Sequence, residues 1–253
     1  MNLSREWLSD YTKIDVSDKE FCDGMTMSGS KVETTADLGA EISNVVVGKI
    51  LSMERHPDSD HMWVCQIDVG QDKPIQVVTG AQNQKAGDLV PVALPGAELA
   101  GGKRIEAGKL RGVDSNGMCC SYQELGMTEH DWPHNPENGL FLLNNDPDLA
   151  AKGLKPGTDI TAAIGYDDTV VEFEITPNRP DCLSVIGLAR EASATFDEPW
   201  KLHTPEVKTV GGDINGHARI TIDDPTLCPR YTARLVKNVK IKPSPLWMRE
   251  RIR

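Results

Sequence analysis

Between residues 42 and 143 the chain holds six short β-type runs, "NVVVGKILSME", "MWVCQIDVG", "PIQVVTG", "DLVPVALPG", "NGMCCS" and "GLFLL", separated by Gly, Pro and Asp turn signals. Five or six strands in so short a stretch predict a small β-barrel or sandwich, with "QELG" at 123–126 as a helical turn between the last strands. What comes before it has a different period. Leu3, Trp7, Leu8 and Tyr11 fall on one helical face, and Ser17 with Glu20 forms a capping box that opens a second helix. Val16 and Phe21 stand at the staple positions around that cap, and "KVETTA", 31–36, reads as a strand. Some forty residues bury too little surface to stand alone, so this segment must pack on something further along the chain.

Its partner is expected after "NNDPDLAAKGLKPGTDI", a connection rich in Pro, Gly and Asp. "VVEFEI" alternates Val171, Phe173 and Ile175 against Glu172 and Glu174, a half-buried strand. Asp181 then suits the N-cap of a helix with Val185, Ala189, Ala192 and Phe196 on one face. The expected class is α+β: a discontinuous α/β domain from 1–39 and 152–204, a β-barrel inserted at 40–151, and the start of a third domain at 205–253. In that last part "ARITID" and "YTARLVKNVKI" read as strands. "PSPLWMRERIR" opens a helix with Ser244 as N-cap and Pro245 in the first turn. The chain stops at Arg253 without a helix stop signal, which predicts a fragment of a longer protein.

Charges run through "MNLSREWLSDYTKI", where a secretory signal needs an unbroken apolar core, and no stretch reaches the roughly 18 apolar residues of a membrane helix. A cytoplasmic protein with no membrane partner is expected. The six cysteines show no CxxC spacing, which suits reduced thiols better than a disulfide frame or zinc ribbon. A formal charge of -11 argues against a general nucleic-acid coat, because nonspecific binding draws on phosphate neutralisation. Any nucleic-acid site must be local.

Five stretches could carry chemistry. Cys182, at a helix mouth beside Arg179, has the setting of an activated thiolate but no histidine nearby in sequence to act as base, so a packed helix start competes with a nucleophile. "HPDSDH" and "EHDWPH" collect metal-type donors, yet their prolines place them in loops without the helical spacing of a metal site, and no metal is expected. "GAELAGGKR" misses the phosphate-loop register and puts Arg104 where a hydroxyl is needed. "GGKRIEAGKLRG" sets Lys103, Arg104, Lys109 and Arg111 against Glu106 alone, a basic strip able to lie along a nucleic-acid backbone. Residues 40–150 nevertheless hold 8 Lys and Arg against 16 Asp and Glu, so a solvated hairpin remains the competing reading.

The motifs "HPDSDHMWVCQIDVG", "VVTGAQN", "VPVALPGAELAGGKRI", "KLRGVDSNGMCCSYQELG", "ITPNRPDCLSVIGLARE" and "CPRYTARLVKNVKIKPSPLWMRERI" together resemble the N-terminal part of the β subunit of bacterial phenylalanyl-tRNA synthetase. The resemblance implies that the inserted barrel is an OB-fold tRNA-binding module within a discontinuous α/β domain, and that the third domain begins an editing region. It implies tRNA and the synthetase α subunit as partners in an α2β2 assembly. ATP and magnesium belong to the full enzyme, with no complete catalytic site in this chain. Carried over by motif, the tRNA contacts are Lys103, Arg104, Lys109 and Arg111, with Asn83 and Ser115 as polar contacts. Two departures stand out: His61 replaces a lysine of the family pattern H-P-x-A-D-K-L, and Cys119 replaces the leucine of G-M-L-C-S. The alternative function is a structural or protein-docking insert that never meets tRNA.

Overall fold

The computed structural model describes all 253 residues and divides into two compact units, Met1–Leu202 with Ser244–Arg253, and His203–Pro243. The first unit opens with β1 (Asn2–Ser4), α1 (Arg5–Ser9), α2 (Asp18–Met27) and β2 (Val32–Asp37). The capping box at Ser17 and Glu20 forms as expected. Leu3, however, lies in β1 and not on the first helix, because Ser4 breaks the helical pattern by capping α1 with a hydrogen bond from the Trp7 amide.

The β-rich stretch comprises β3 (Ser43–Arg55), β4 (Trp63–Asp68), β5 (Ile75–Thr79), β6 (Leu89–Leu99), β7 (Lys103–Arg104), β8 (Gly108–Leu110), β9 (Val113–Ser115) and β10 (Met118–Cys119). All pairings are antiparallel, in the order β10-β6-β3-β4-β5, with β7 on β6 and β8 on β9. The long β3 serves two neighbours, and a register break between Ile50 and Ser52 bends it along its length. Pro91 sits within β6 without harm, since Val47 opposite turns its own N–H and C=O to Thr158 and Gly157.

No ladder closes these strands into a barrel. Where β9 meets β5 the joint is made by single bonds: the Val78 N–H donates to Ser115 Oγ at 3.0 Å, the Asn116 N–H to the Gln76 carbonyl at 2.8 Å, and Gln76 Nε2 to the Asp114 carbonyl. "GLFLL" likewise forms no strand. Its backbone is held by a side chain on either side of a single main-chain bond: Asn83 takes the Leu140 amide and carbonyl, Asn135 takes the Leu142 amide, and the Phe141 N–H reaches the Cys120 carbonyl.

The connection after residue 145 holds two short helices, α3 (Pro147–Lys152) and α4 (Ile160–Ile164), capped by Asp146 and Asp159. β11 (Thr169–Phe173) then inserts between β1 and β2 in a three-stranded antiparallel sheet. Beneath it, Leu3, Leu8, Phe21 and Met25 pack with Val171, Phe173, Leu188 and Ala192 in one core, the last two from α5 (Val185–Phe196). The cap of α5 is Ser184, not Asp181, because Pro180–Cys182 forms a separate 3-10 turn that ends before the helix begins. Two further cores fill the β-rich stretch, one around Tyr122, Trp132 and Phe141, the other around Ile50, Cys65, Ile67 and Val92.

At the end of the chain α6 (Leu246–Ile252) starts one residue later than expected, with Pro245 as its cap. Leu246 is buried, and Arg251 pairs with Asp10 at 3.0 Å. In the second unit the expected strands at 218–223 and 231–241 do not form, and a 3-10 turn at Ile214–Gly216 and a turn at 225–227 interrupt irregular backbone. A strand exists only where another chain segment takes its N–H and C=O groups, and none pairs with these residues. No helix of the structure is long and apolar enough to cross a membrane.

Candidate nucleic-acid interface

The basic strip folds as β7, a short crossing and the β8–β9 hairpin. Its two-residue turn places Arg111 at φ 46° and Gly112 at φ 84°, the double left-handed geometry whose twist suits paired strands. The hairpin tip is latched to the 56–62 loop. His56 is 3% exposed; its Nδ1 accepts the Asp58 N–H at 3.0 Å, which leaves Nε2–H to donate to the Leu110 carbonyl at 3.0 Å. Arg111 Nη1 adds a bond to the Asp58 carbonyl at 3.2 Å. Both ring nitrogens of His56 are thereby occupied, and His56 serves as a structural latch.

Each expected cation lies at the surface with its own partner. Lys103 meets Glu124 at 3.3 Å, Arg104 meets Glu106 at 3.2 Å and Lys109 meets Asp114 at 3.4 Å, the three cationic side chains being 54–65% exposed. Surface pairs of this kind hold weakly and exchange readily for a phosphate. Lys103 and Arg104, adjacent in β7, project to opposite faces of the strand.

Asn83 and Ser115 belong elsewhere. Asn83 spends its amide on Leu140, and Ser115, 5% exposed, accepts from Val78 and donates to the Gly117 carbonyl at 3.0 Å. Asn83 and Ser115, expected as polar contacts to RNA, are here engaged with backbone groups that have no ladder partner. Ser115→Ala is expected to cost about 1–3 kcal/mol by leaving a buried amide unpaired. Urea denaturation checks it, and loss of RNA affinity at unchanged stability would restore the contact role.

Sequence reasoning missed a second cationic group. Arg55 and Trp63 are register partners on β3 and β4, with the Arg55 guanidinium 3.8 Å above the indole centroid. The pair is braced by Arg55 Nη1 on the Asp60 carbonyl at 2.9 Å and by Trp63 Nε1–H on Gln82 Oε1 at 3.1 Å. The two stand eight positions apart in sequence, so only the β3–β4 register could have revealed them.

Elsewhere the chemistry recedes. "GAELAGGKR" runs from β6 through a 3-10 turn into β7; no helix follows its glycines and Lys103 is engaged by Glu124, so these residues do not fit the phosphates of ATP. Cys182 is 1% exposed in the helical core, and burial pushes its thiol pKa up although Arg179 opposes the shift. Asp181, Cys182 and Glu191 are grouped closely enough to ligate an ion, but Arg179 occupies that place, 2.9 Å from Asp181, 2.6 Å from Glu191 and 3.1 Å from the Cys182 sulfur. Arg179 therefore binds two carboxylates, and it holds the Asp181 carboxyl down at about 2.

Residues 45–138 match the protein family described as "Putative tRNA binding domain". Along its whole length the chain is homologous to the phenylalanine--tRNA ligase beta subunit. It is 47% identical over 253 residues to that of Clostridium acetobutylicum and 39% identical over 252 residues to that of Staphylococcus haemolyticus. All of this chain is covered in both cases but only 30% and 31% of those proteins, so the chain spans about a third of the length of these relatives. Among solved structures, the C-terminal domain of Plasmodium vivax p43 is 26% identical with a TM-score of 0.27, covering 33% of this chain and 48% of that one. A MetRS-related protein of Pyrococcus horikoshii is 18% identical with a TM-score of 0.26, covering 39% of this chain and 75% of that one.

Proposed function

We propose that this chain is a non-catalytic tRNA-binding and scaffolding region of a phenylalanine--tRNA ligase beta subunit. The whole protein attaches phenylalanine to its tRNA with ATP and magnesium, in the cytoplasm, in an α2β2 assembly with an alpha subunit. The observation that carries this reading is the coincidence of the tRNA-binding family match, residues 45–138, with the exposed cations Lys103, Arg104, Lys109 and Arg111.

The domain reading is part of the proposal: an OB-type barrel at 40–151, inserted into an α/β domain of 1–39 and 152–204, with a third domain starting at 205. Support for it comes from the core shared by Phe21 and Leu188 and from the bonds of Ser115 and Asn116 that link β9 to β5. A second reading, a docking insert without RNA contact, draws on the acidic balance of residues 40–150 and on the pairing of each cation with its own carboxylate or carbonyl.

Titration of this chain with a phenylalanine tRNA transcript at low salt separates the two. Changing all four cations to Glu is expected to lower the slope of log affinity against log salt by about 3, since each phosphate contact contributes roughly 0.7–0.9. Absence of binding by the unaltered chain, or an unchanged slope, would establish the docking insert.

A further inference from the structure

We propose that Arg55, held over the Trp63 ring, is a stacking platform for an unpaired nucleobase, a site that rests on the tRNA-binding reading and gives it a second contact of a different kind. Both residues lie within the stretch that matches the tRNA-binding family. Proteins hold single-stranded RNA by combining backbone electrostatics with planar groups on which bases stack, and an arginine guanidinium is such a plane.

The geometry here is pre-set. The guanidinium carbon lies 3.8 Å from the indole centroid, and the side chain that carries it remains exposed, within reach of a base. An arginine free in solvent must lose rotamer freedom to receive a base. Arg55 has already been ordered, by the indole and by its bond to the Asp60 carbonyl. The indole is ordered in turn by Gln82, whose amide nitrogen also donates to the His61 and Gly80 carbonyls at 2.9 and 2.8 Å.

The platform adjoins the basic strip through one loop. Arg55 binds the carbonyl of Asp60 and Arg111 that of Asp58, so both guanidinium groups are anchored on the same few residues of backbone. A strand of RNA that lays a phosphate against Arg111 can therefore turn a neighbouring base onto Arg55. The exposed carboxylates of Asp58 and Asp60 discourage further phosphates at this corner and favour the uncharged base as its occupant. The chemistry selects a π-face and not a base identity, so the site is expected to tolerate any nucleobase.

The test compares an oligoadenylate with an abasic oligomer of equal length and charge, both bound to this chain at low salt. The unaltered protein is expected to prefer oligoadenylate by roughly 5- to 150-fold, the value of one stacked base. Arg55→Lys keeps the charge and loses the plane; it is expected to bring the preference towards unity while leaving affinity for the abasic oligomer within about twofold. Oligoadenylate should also quench an indole emission in the unaltered protein that is missing in Trp63→Phe. If the preference survives Arg55→Lys, or none exists although tRNA binds and reversal of the four cations abolishes that binding, the platform is overturned and the tRNA reading stands. If the unaltered chain binds neither tRNA nor either oligomer, both fall.

Discussion

Arg249→Leu is expected to lower the stability of the first unit by about 3–5 kcal/mol, the cost of leaving one member of a buried ion pair alone. Arg249 is 8% exposed and its partner Asp146 is fully buried. The guanidinium donates to the Asp146 carboxylate, to the Asp131 carbonyl and, through Nε, to the Ser244 carbonyl at 3.0 Å, while its carbon lies 5.4 Å from the Trp132 ring centre. Asp146 is committed on its other side, where Oδ1 caps α3 through the Asp148 and Leu149 amides. Leucine replaces the packing of the arginine stem but none of its donors, so a carboxylate and two carbonyls lose their shared partner at once. The midpoint of thermal unfolding should fall by on the order of 10 °C. Asp146→Asn in the same chain removes the stranded charge yet keeps an oxygen for the cap. The double variant is therefore expected to recover about half of the loss, and additive losses would show that Arg249 acts through packing alone.

Local chemistry was legible: Ser17 and Glu20 make their capping box with each other, and the alternation of Val171 and Phe173 against Glu172 marks β11 without reference to anything distant. Caps were less so, since Ser184 and not Asp181 opens α5, and longer range was harder still, where a polar group serves a backbone far away in sequence. Asn83 reaches Leu140 and Ser115 reaches Val78, so both were read as free to meet RNA. "GLFLL" has the composition of a strand, but a strand is defined by its partner, and Asn83 and Asn135 stand in for one. The segment 203–243 is the converse case, β-type patterning with no partner to realise it. Of the site, the four cations could be found because they crowd together in sequence; Arg55 and Trp63 could not, because the β3–β4 register alone brings them into contact.

Gly187→Ala tests the stretch "ITPNRPDCLSVIGLARE" most sharply, because general propensity and local geometry predict opposite signs. In an ordinary helix interior, replacing Gly by Ala stabilises by about 0.5–1 kcal/mol. Gly187 lies in the first turn of α5, at helical angles, so no conformational need for glycine opposes the change. The obstacle is the 3-10 turn folded against the helix: a Cβ on Gly187 would land on the carbonyl of Asp181, well inside van der Waals contact, and 3.1 Å from the Cys182 amide nitrogen. That carbonyl is fixed by the Ser184 hydroxyl, which donates to it at 3.0 Å while accepting the Gly187 amide at 3.0 Å. Neither side can yield cheaply, since the turn carries buried Cys182 and the helix carries buried Val185 and Leu188. Relief requires moving one backbone segment away from the other and opening the core they share with Leu3 and Phe21. The loss is expected at or above the upper end of the roughly 1–3 kcal/mol that overpacking costs, and larger than the ~1 kcal/mol typical of removing the helix cap in Ser184→Ala. Urea unfolding of both variants decides it: a Gly187→Ala protein as stable as the unaltered chain would mean that turn and helix are not in contact, and Cys182 would lose the packed position that argues against its being a nucleophile.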